Sequence, residues 1–211
     1  MERSEAIVQG GPYARPGQRI GLLGGSFDPP HEGHVHITRW ALRRLRLDAV
    51  WWIVSPGNPL KARGPASLDR RMATARAMFP APGVPAGRVA VTDIEERIGA
   101  RYTADTLAAL DRRYPGARFV WLMGADNLCQ FHRWRDWRWI MENFPIGVLG
   151  RPGAVARAGL SPAALAYRRF RLPREAAPGL ASANAPAWTM LTTGRHSAAS
   201  STEIRRSGGW P

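Results

Sequence analysis

Cysteine and lysine are nearly missing from this sequence: there is one of each, Cys129 and Lys61, in 211 residues. A single thiol excludes a disulfide framework and a cysteine metal cluster. No apolar run reaches the about 18 residues that a membrane helix needs, so no membrane span is read. The first 18 residues carry two glutamates and no apolar stretch of signal-peptide length. They read as a flexible leader before a single domain over 19–211, and a cytoplasmic protein is the expectation. Two phosphate-loop signatures are also missing. Without G-x-x-x-x-G-K-[ST] there is no P-loop of that kind, and without G-x-G-x-x-G a nicotinamide-dependent dehydrogenase is disfavoured. Acidic residues are few, 16 against 30 basic, which leaves a net charge of +14. The basic residues are spread along the chain with no block of five or six, and all but Lys61 are arginine. That bias reads as compositional, so no nucleic-acid partner is inferred from it, although it suits an anionic substrate. Lys61 then stands out as a compact, mobile point charge, or as a stray surface residue.

What is present alternates. Short apolar runs at 19–25, 49–55, 88–94, 118–124, 146–150 and 188–192 read as strands. Between them, apolar residues at helical spacing mark helices: from His34 to Leu45, from the Ser67 cap to Phe79, and from Thr103 to about Arg113. A tryptophan-rich stretch over 128–143, residues 161–170 and a helix beginning at SSTEIRRS complete the set. Residues 151–187 read as a long connection. This order predicts an α/β fold, a Rossmann-like parallel sheet with helices on both faces. Such sheets bind ligands beyond the carboxyl ends of their strands, where strand order reverses, and the unusual loops all fall at that end.

The most unusual loop lies in GLLGGSFDPPHEGHVH, residues 21–36, which packs a glycine pair, a proline pair and three histidines between a strand and a helix. A metal site, a phosphate-binding loop and an ordinary surface connection compete for it. His31 and His34 lack an evident third ligand, and H-E-G-H is one residue short of the spacing that puts two histidines on one helical face. No protein metal site is therefore expected. The phosphate reading explains more. Gly24 and Gly25 let backbone approach a ligand, Pro29 and Pro30 stiffen the loop, and Gly33 keeps the turn uncrowded. The helix that follows would point its N–H groups and positive dipole end at the same space, with His31 and His34 as side-chain donors.

G-G-S-F-D-P-P-H-x-G-H after a first strand resembles the H-x-G-H signature of the nucleotidylyltransferase superfamily. That superfamily's second signature, S-S-T-x-I-R, stands at Ser200 to Arg205. Three further pieces narrow the likeness: N-P-x-K at Asn58 to Lys61, Y-T-x-D-T-L at Tyr102 to Leu107, and G-A-D-N at Gly124 to Asn127 with F-x-x-W at Phe131 to Trp134. Together they resemble the bacterial nicotinate-nucleotide adenylyltransferases of NAD biosynthesis, over about residues 19–206.

The resemblance implies roles. Gly24, Gly25, Ser26, Phe27 and Gly33 would line the ATP site, with Gly124 and Asp126 as its nucleotide-binding glycine and acid. His31 and His34 would contact the ATP phosphates. Ser200, Ser201 and Thr202 would hold the β- and γ-phosphates, with Arg205 beside them and Lys61 near the phosphates being joined. Ser26, Lys61 and Asp126 would also serve the mononucleotide. Trp134 would stack on its ring, and the backbone N–H groups of Thr103 and Arg135 would bind its carboxylate. Trp137 and Trp139 match no such role and read as core or interface. Arg135 stands where relatives often have tyrosine. The chain ends at RSGGWP, short of the longer helical tail common in relatives, which puts oligomer contacts rather than catalysis in doubt; a homo-oligomer stays open as a partner.

The implied reaction joins ATP and nicotinate mononucleotide into nicotinate adenine dinucleotide with release of pyrophosphate. Mg²⁺ would be the cofactor, held mainly by substrate phosphates. His31, His34, Lys61 and Arg205 would bring positive charge to the transferred phosphates. Nicotinamide mononucleotide or, further off, phosphopantetheine is the rival acceptor. A non-catalytic nucleotide- or RNA-binding protein on the same fold is the rival of a different class.

Overall fold

The computed structural model describes residues 11–57, 65–150, 152–192, 201–206 and 210. Its centre is a six-stranded sheet: β1 (Arg19–Gly25), β2 (Ala49–Val54), β3 (Val89–Thr92), β4 (Arg118–Gly124), β5 (Ile146–Gly150) and β6 (Trp188–Thr192). The spatial order is β3-β2-β1-β4-β5-β6, and every neighbouring pair is parallel. Strand order reverses between β1 and β4, and the loops leaving those two strands open at the carboxyl edge of the sheet. This is the crevice position of doubly wound folds.

Burial on both faces explains why the strands are continuous apolar runs rather than alternating ones. In β2 all six residues are buried. Ile20, Leu22, Trp51, Ile53, Phe119 and Trp121 point to one face and join one core cluster, while Val50, Trp52, Val120 and Leu122 join the other. The second face is covered by α1 (Glu32–Arg44) and α2 (Leu68–Ala77). The first is covered by α4 (Thr103–Arg113), α5 (Ala125–Gln130) and α6 (Trp137–Asn143), after a short α3 (Ile94–Arg97). In α4, Leu107 and Leu110 are fully buried at i, i+3 spacing, as an amphipathic helix requires.

Three expectations differ from the structure. The tryptophan-rich stretch is not one helix: α5 gives way to a 3₁₀ turn at Phe131–Arg133, and α6 starts anew after Asp136, which has φ +54°. The connection over 151–187 holds more than the helical structure expected at 161–170, which is present as α8 (Pro162–Ala166) and a 3₁₀ turn at Arg168–Phe170: it also holds α7 (Pro152–Ala158) and a 3₁₀ turn at Arg174–Ser182. The end of the leader touches the domain: Ala14 packs against the core, the Gly17 N–H donates to the Gly116 carbonyl at 2.7 Å, and the Gln18 carbonyl accepts the Arg118 N–H at 2.8 Å. The last helix, α9, spans Ser201–Arg206. No helix among the described residues is long and apolar enough to cross a membrane.

Candidate active site

The β1–α1 loop is built from its own residues. His31 is the N-cap of α1, and its Nδ1 accepts the Gly33 N–H at 3.1 Å. His34, in the first turn, accepts the His31 N–H on its own Nδ1 at 3.1 Å. The pair forms a reciprocal cap, an arrangement usually made by serine and glutamate. An imidazole nitrogen that accepts carries no proton, so in each neutral ring the hydrogen sits on Nε2. Burial, then the neighbouring His31, push the His34 pKa down to about 3, and burial lowers that of His31. Both rings are therefore neutral donors in the protein itself. This departs from the expectation that they bring positive charge.

Aromatic packing holds His34 in place. Its ring lies 4.7 Å from that of Phe27, which stacks on Trp52 at 4.9 Å. The Trp52 indole N–H donates to the Thr38 hydroxyl at 2.7 Å, and that hydroxyl donates to the His34 carbonyl at 2.9 Å. Phe27 is fully buried with φ +46°, a left-handed conformation uncommon for a bulky residue.

The glycines divide in purpose. A Cβ on Gly24 would lie 2.5 Å from Cη2 of the buried Trp121, so core packing requires glycine there. A Cβ on Gly25 would make ordinary contact with Phe27, and one on Gly124 would meet nothing within 4 Å. Gly124 thus borders open space at the end of β4. Asp126, two residues on, pairs with Arg157 of α7 at 3.2 Å.

The distant signature reaches the same loop. Ser201 and Thr202 open α9, and Arg205 donates to the Asp28 backbone carbonyl and lies 3.7 Å from its carboxylate. Asp28 also accepts the Ala66 N–H at 3.2 Å and the Trp210 indole N–H at 2.6 Å. Lys61 and Ser200 lie outside the described residues.

A second corner forms where α4 starts. Tyr102 precedes Thr103, offers no side-chain cap, and lies 4.6 Å from the Arg135 guanidinium stacked over its ring. Trp134 packs edge-on against Trp121 at 6.3 Å and Phe131 at 5.2 Å. Thr103, Trp134 and Arg135 are thereby brought to one place. Trp137 is buried in the core and Trp139 is exposed.

The cytidylyltransferase-like family matches residues 22–207 of the chain. A protein of Ruegeria pomeroyi named probable nicotinate-nucleotide adenylyltransferase is 61% identical over 202 residues, covering 96% of this chain and 92% of its own. The chain belongs to the nicotinate-nucleotide adenylyltransferase family. A relative of the same name in Parvibaculum lavamentivorans is 54% identical over 92% of this chain and 94% of its own. The fold is shared with Plasmodium falciparum nicotinic acid mononucleotide adenylyltransferase, solved in complex with NaAD, at TM-score 0.67 and 16% identity over 90% of this chain and 83% of that one. The resemblance carried by the two signatures is borne out.

Not every residue that matters to this adenylyltransferase site was legible. Arg71, Asp28, Trp52, Arg157 and Trp210 escaped sequence reasoning. For Arg71 a signal existed: it falls on the inward face of α2, beside Met72 and between Leu68 and Ala75, where an apolar residue is the ordinary choice.

Proposed function

We propose that the chain transfers the adenylyl group of ATP to nicotinate mononucleotide, forming nicotinate adenine dinucleotide and pyrophosphate. The observation that carries this reading is the meeting of the two signatures at Asp28, where Arg205 of α9 is tied to the loop that presents His31 and His34. The relatives' names support the same acceptor.

A phosphate oxygen of the mononucleotide attacks the α-phosphorus of ATP. The bond from that phosphorus to the bridging oxygen breaks, and pyrophosphate leaves with the electron pair. The attacking oxygen is anionic at neutral pH, so no side chain need remove a proton. The protein supplies alignment and donors aimed at developing charge. His31 and His34 donate through Nε2–H, held in that tautomer by their Nδ1 bonds. Arg205 adds fixed charge beside Asp28, and the family resemblance assigns Lys61 a further positive charge near the phosphates being joined. At the other corner, the N–H groups of Thr103 and Arg135 bind the carboxylate and Trp134 stacks on the ring.

Among the described residues no group of three His, Cys, Asp or Glu is placed to hold a metal ion. Asp28 is already bonded to Ala66 and Trp210, and Asp126 to Arg157. This donor set fits a magnesium ion carried on the phosphates and water of ATP, where it would neutralise charge on the leaving group. The test is to mix the protein with ATP and Mg²⁺ and each mononucleotide in turn, and to measure pyrophosphate. Release with nicotinate mononucleotide is expected, and none with either acceptor overturns the reading.

A further inference from the structure

Arg71 is fully buried on α2, yet its guanidinium bonds only to backbone carbonyls. Nε donates to Ala66 at 2.7 Å, Nη1 to Ser26 at 2.6 Å and to Ser55 at 2.7 Å, and Nη2 to Pro56 at 3.2 Å. Those carbonyls belong to three segments: the loop after β1, the loop after β2 and the approach to α2. All three lie at the carboxyl edge of the sheet. A buried cation without a hydrogen-bonded carboxylate is expensive, and an apolar residue such as the adjoining Met72 would fill a helix–sheet contact at less cost. The arginine is explained by what it holds.

The Ser26 carbonyl is the informative one. In a trans peptide the C=O and the following N–H point in opposite directions. With the Ser26 oxygen turned onto Arg71, the Phe27 N–H faces away from α2. That N–H has no hydrogen-bond partner among the described residues. Ser26 is exposed, so the peptide lies at the open surface of the loop. The left-handed φ of Phe27 is a conformation that surrounding contacts must enforce.

We propose that Arg71 is a positioning residue: by binding the Ser26 carbonyl it aims the Phe27 N–H at the phosphates of the substrates. The inference rests on the adenylyl-transfer reading of this site. It adds a backbone donor to the two histidines and assigns its orientation to a side chain that touches no substrate.

Ser-Phe occurs once in the sequence, at 26–27. Labelling serine with carbonyl ¹³C and phenylalanine with ¹⁵N in the full chain therefore selects a single amide signal. Adding inorganic pyrophosphate to the unmodified protein shifts that signal, and the shift shrinks in Arg71→Lys, which keeps the charge but cannot span three segments. Below its melting temperature Arg71→Lys lowers kcat by about tenfold or more, since loss of one such donor costs on the order of 10²–10³. KM for the mononucleotide stays within about threefold, and Arg71→Met loses more of kcat than the lysine variant does. An unmoved Phe27 amide in the unmodified protein overturns the inference, even if neither variant folds. So does a lysine variant with a lowered melting temperature but unchanged kcat and KM. If the amide responds and the unmodified protein makes no pyrophosphate, the functional reading fails while the positioning role stands.

Discussion

His34 Nδ1 sits 3.1 Å from the backbone nitrogen of His31, and the two imidazole centroids are 3.9 Å apart. One nitrogen of His34 caps a helix while the other is left to donate outward. The two tasks can be separated by mutation. Asparagine places a carbonyl oxygen near the Nδ1 position but nothing near Nε2, whereas alanine removes both. His34→Asn is expected to keep thermal stability close to the original and to lower kcat by about 10²-fold or more. His34→Ala should lose a similar share of kcat and in addition about 1 kcal/mol of stability with the cap. Paired melting curves and steady-state rates check this, and an asparagine variant with normal turnover removes His34 from phosphate contact.

The same histidine makes stability depend on pH. Its pKa falls from 6.5 in the unfolded chain to about 3 in the folded one, so between those values the unfolded state binds more protons. Stability then rises with pH across that window, is fully present above the unfolded value, and is lost on acidification. From neutrality down to pH 5 the loss from this group is about 2 kcal/mol. His31, also lowered by burial, acts in the same direction. Urea unfolding at the two pH values should show a smaller difference in His34→Asn than in the unmodified protein. An undiminished difference would mean that the ring is not desolvated.

Gly24 tests whether the first glycine of the signature serves the core. Gly24→Ala puts a methyl group against the rim of Trp121, and overpacking of this kind costs about 1–3 kcal/mol. Trp121→Phe removes the ring edge that the methyl group meets, so the double variant should be more stable than the sum of the two single changes allows. Additive losses in denaturation experiments would place the strain elsewhere.

Strands were the most legible part of the fold. The runs at 19–25, 118–124, 146–150 and 188–192 coincide with β1, β4, β5 and β6, because a strand buried on both faces announces itself as an unbroken apolar run. The helical break between Arg133 and Trp137 was not legible, since it depends on the left-handed Asp136 and not on a glycine or proline. At the site, the residues that would face ligand stood out through unusual chemistry in short motifs. The residues that hold them, Arg71 above all, were hidden because their partners are backbone carbonyls. A carbonyl has no letter in the sequence, and only the fold shows which ones converge.

Discrimination between acid and amide can be tested at one atom. Thr103 is the first residue of α4, and its N–H has no partner among the described residues. A carboxylate facing this N–H and that of Arg135 makes charge-assisted bonds, whereas a carboxamide must turn its own N–H₂ toward a donor. Leaving a buried donor unpaired costs roughly 1–3 kcal/mol, so nicotinate mononucleotide should be preferred by about 10²-fold in kcat/KM. Proline at the first helical position lacks only the N–H and suits the helix start. Tyr102, at φ −126° and ψ 148°, already has the extended conformation that a following proline demands. Thr103→Pro should therefore fold normally and move the preference at least about tenfold toward parity, mainly by loss of activity on the acid. Arg135→Ala should change selectivity by less than about threefold, because its guanidinium is drawn to the Tyr102 ring and to Asp136 at 3.4 Å. A proline variant that keeps the full preference would show that another donor selects the acid.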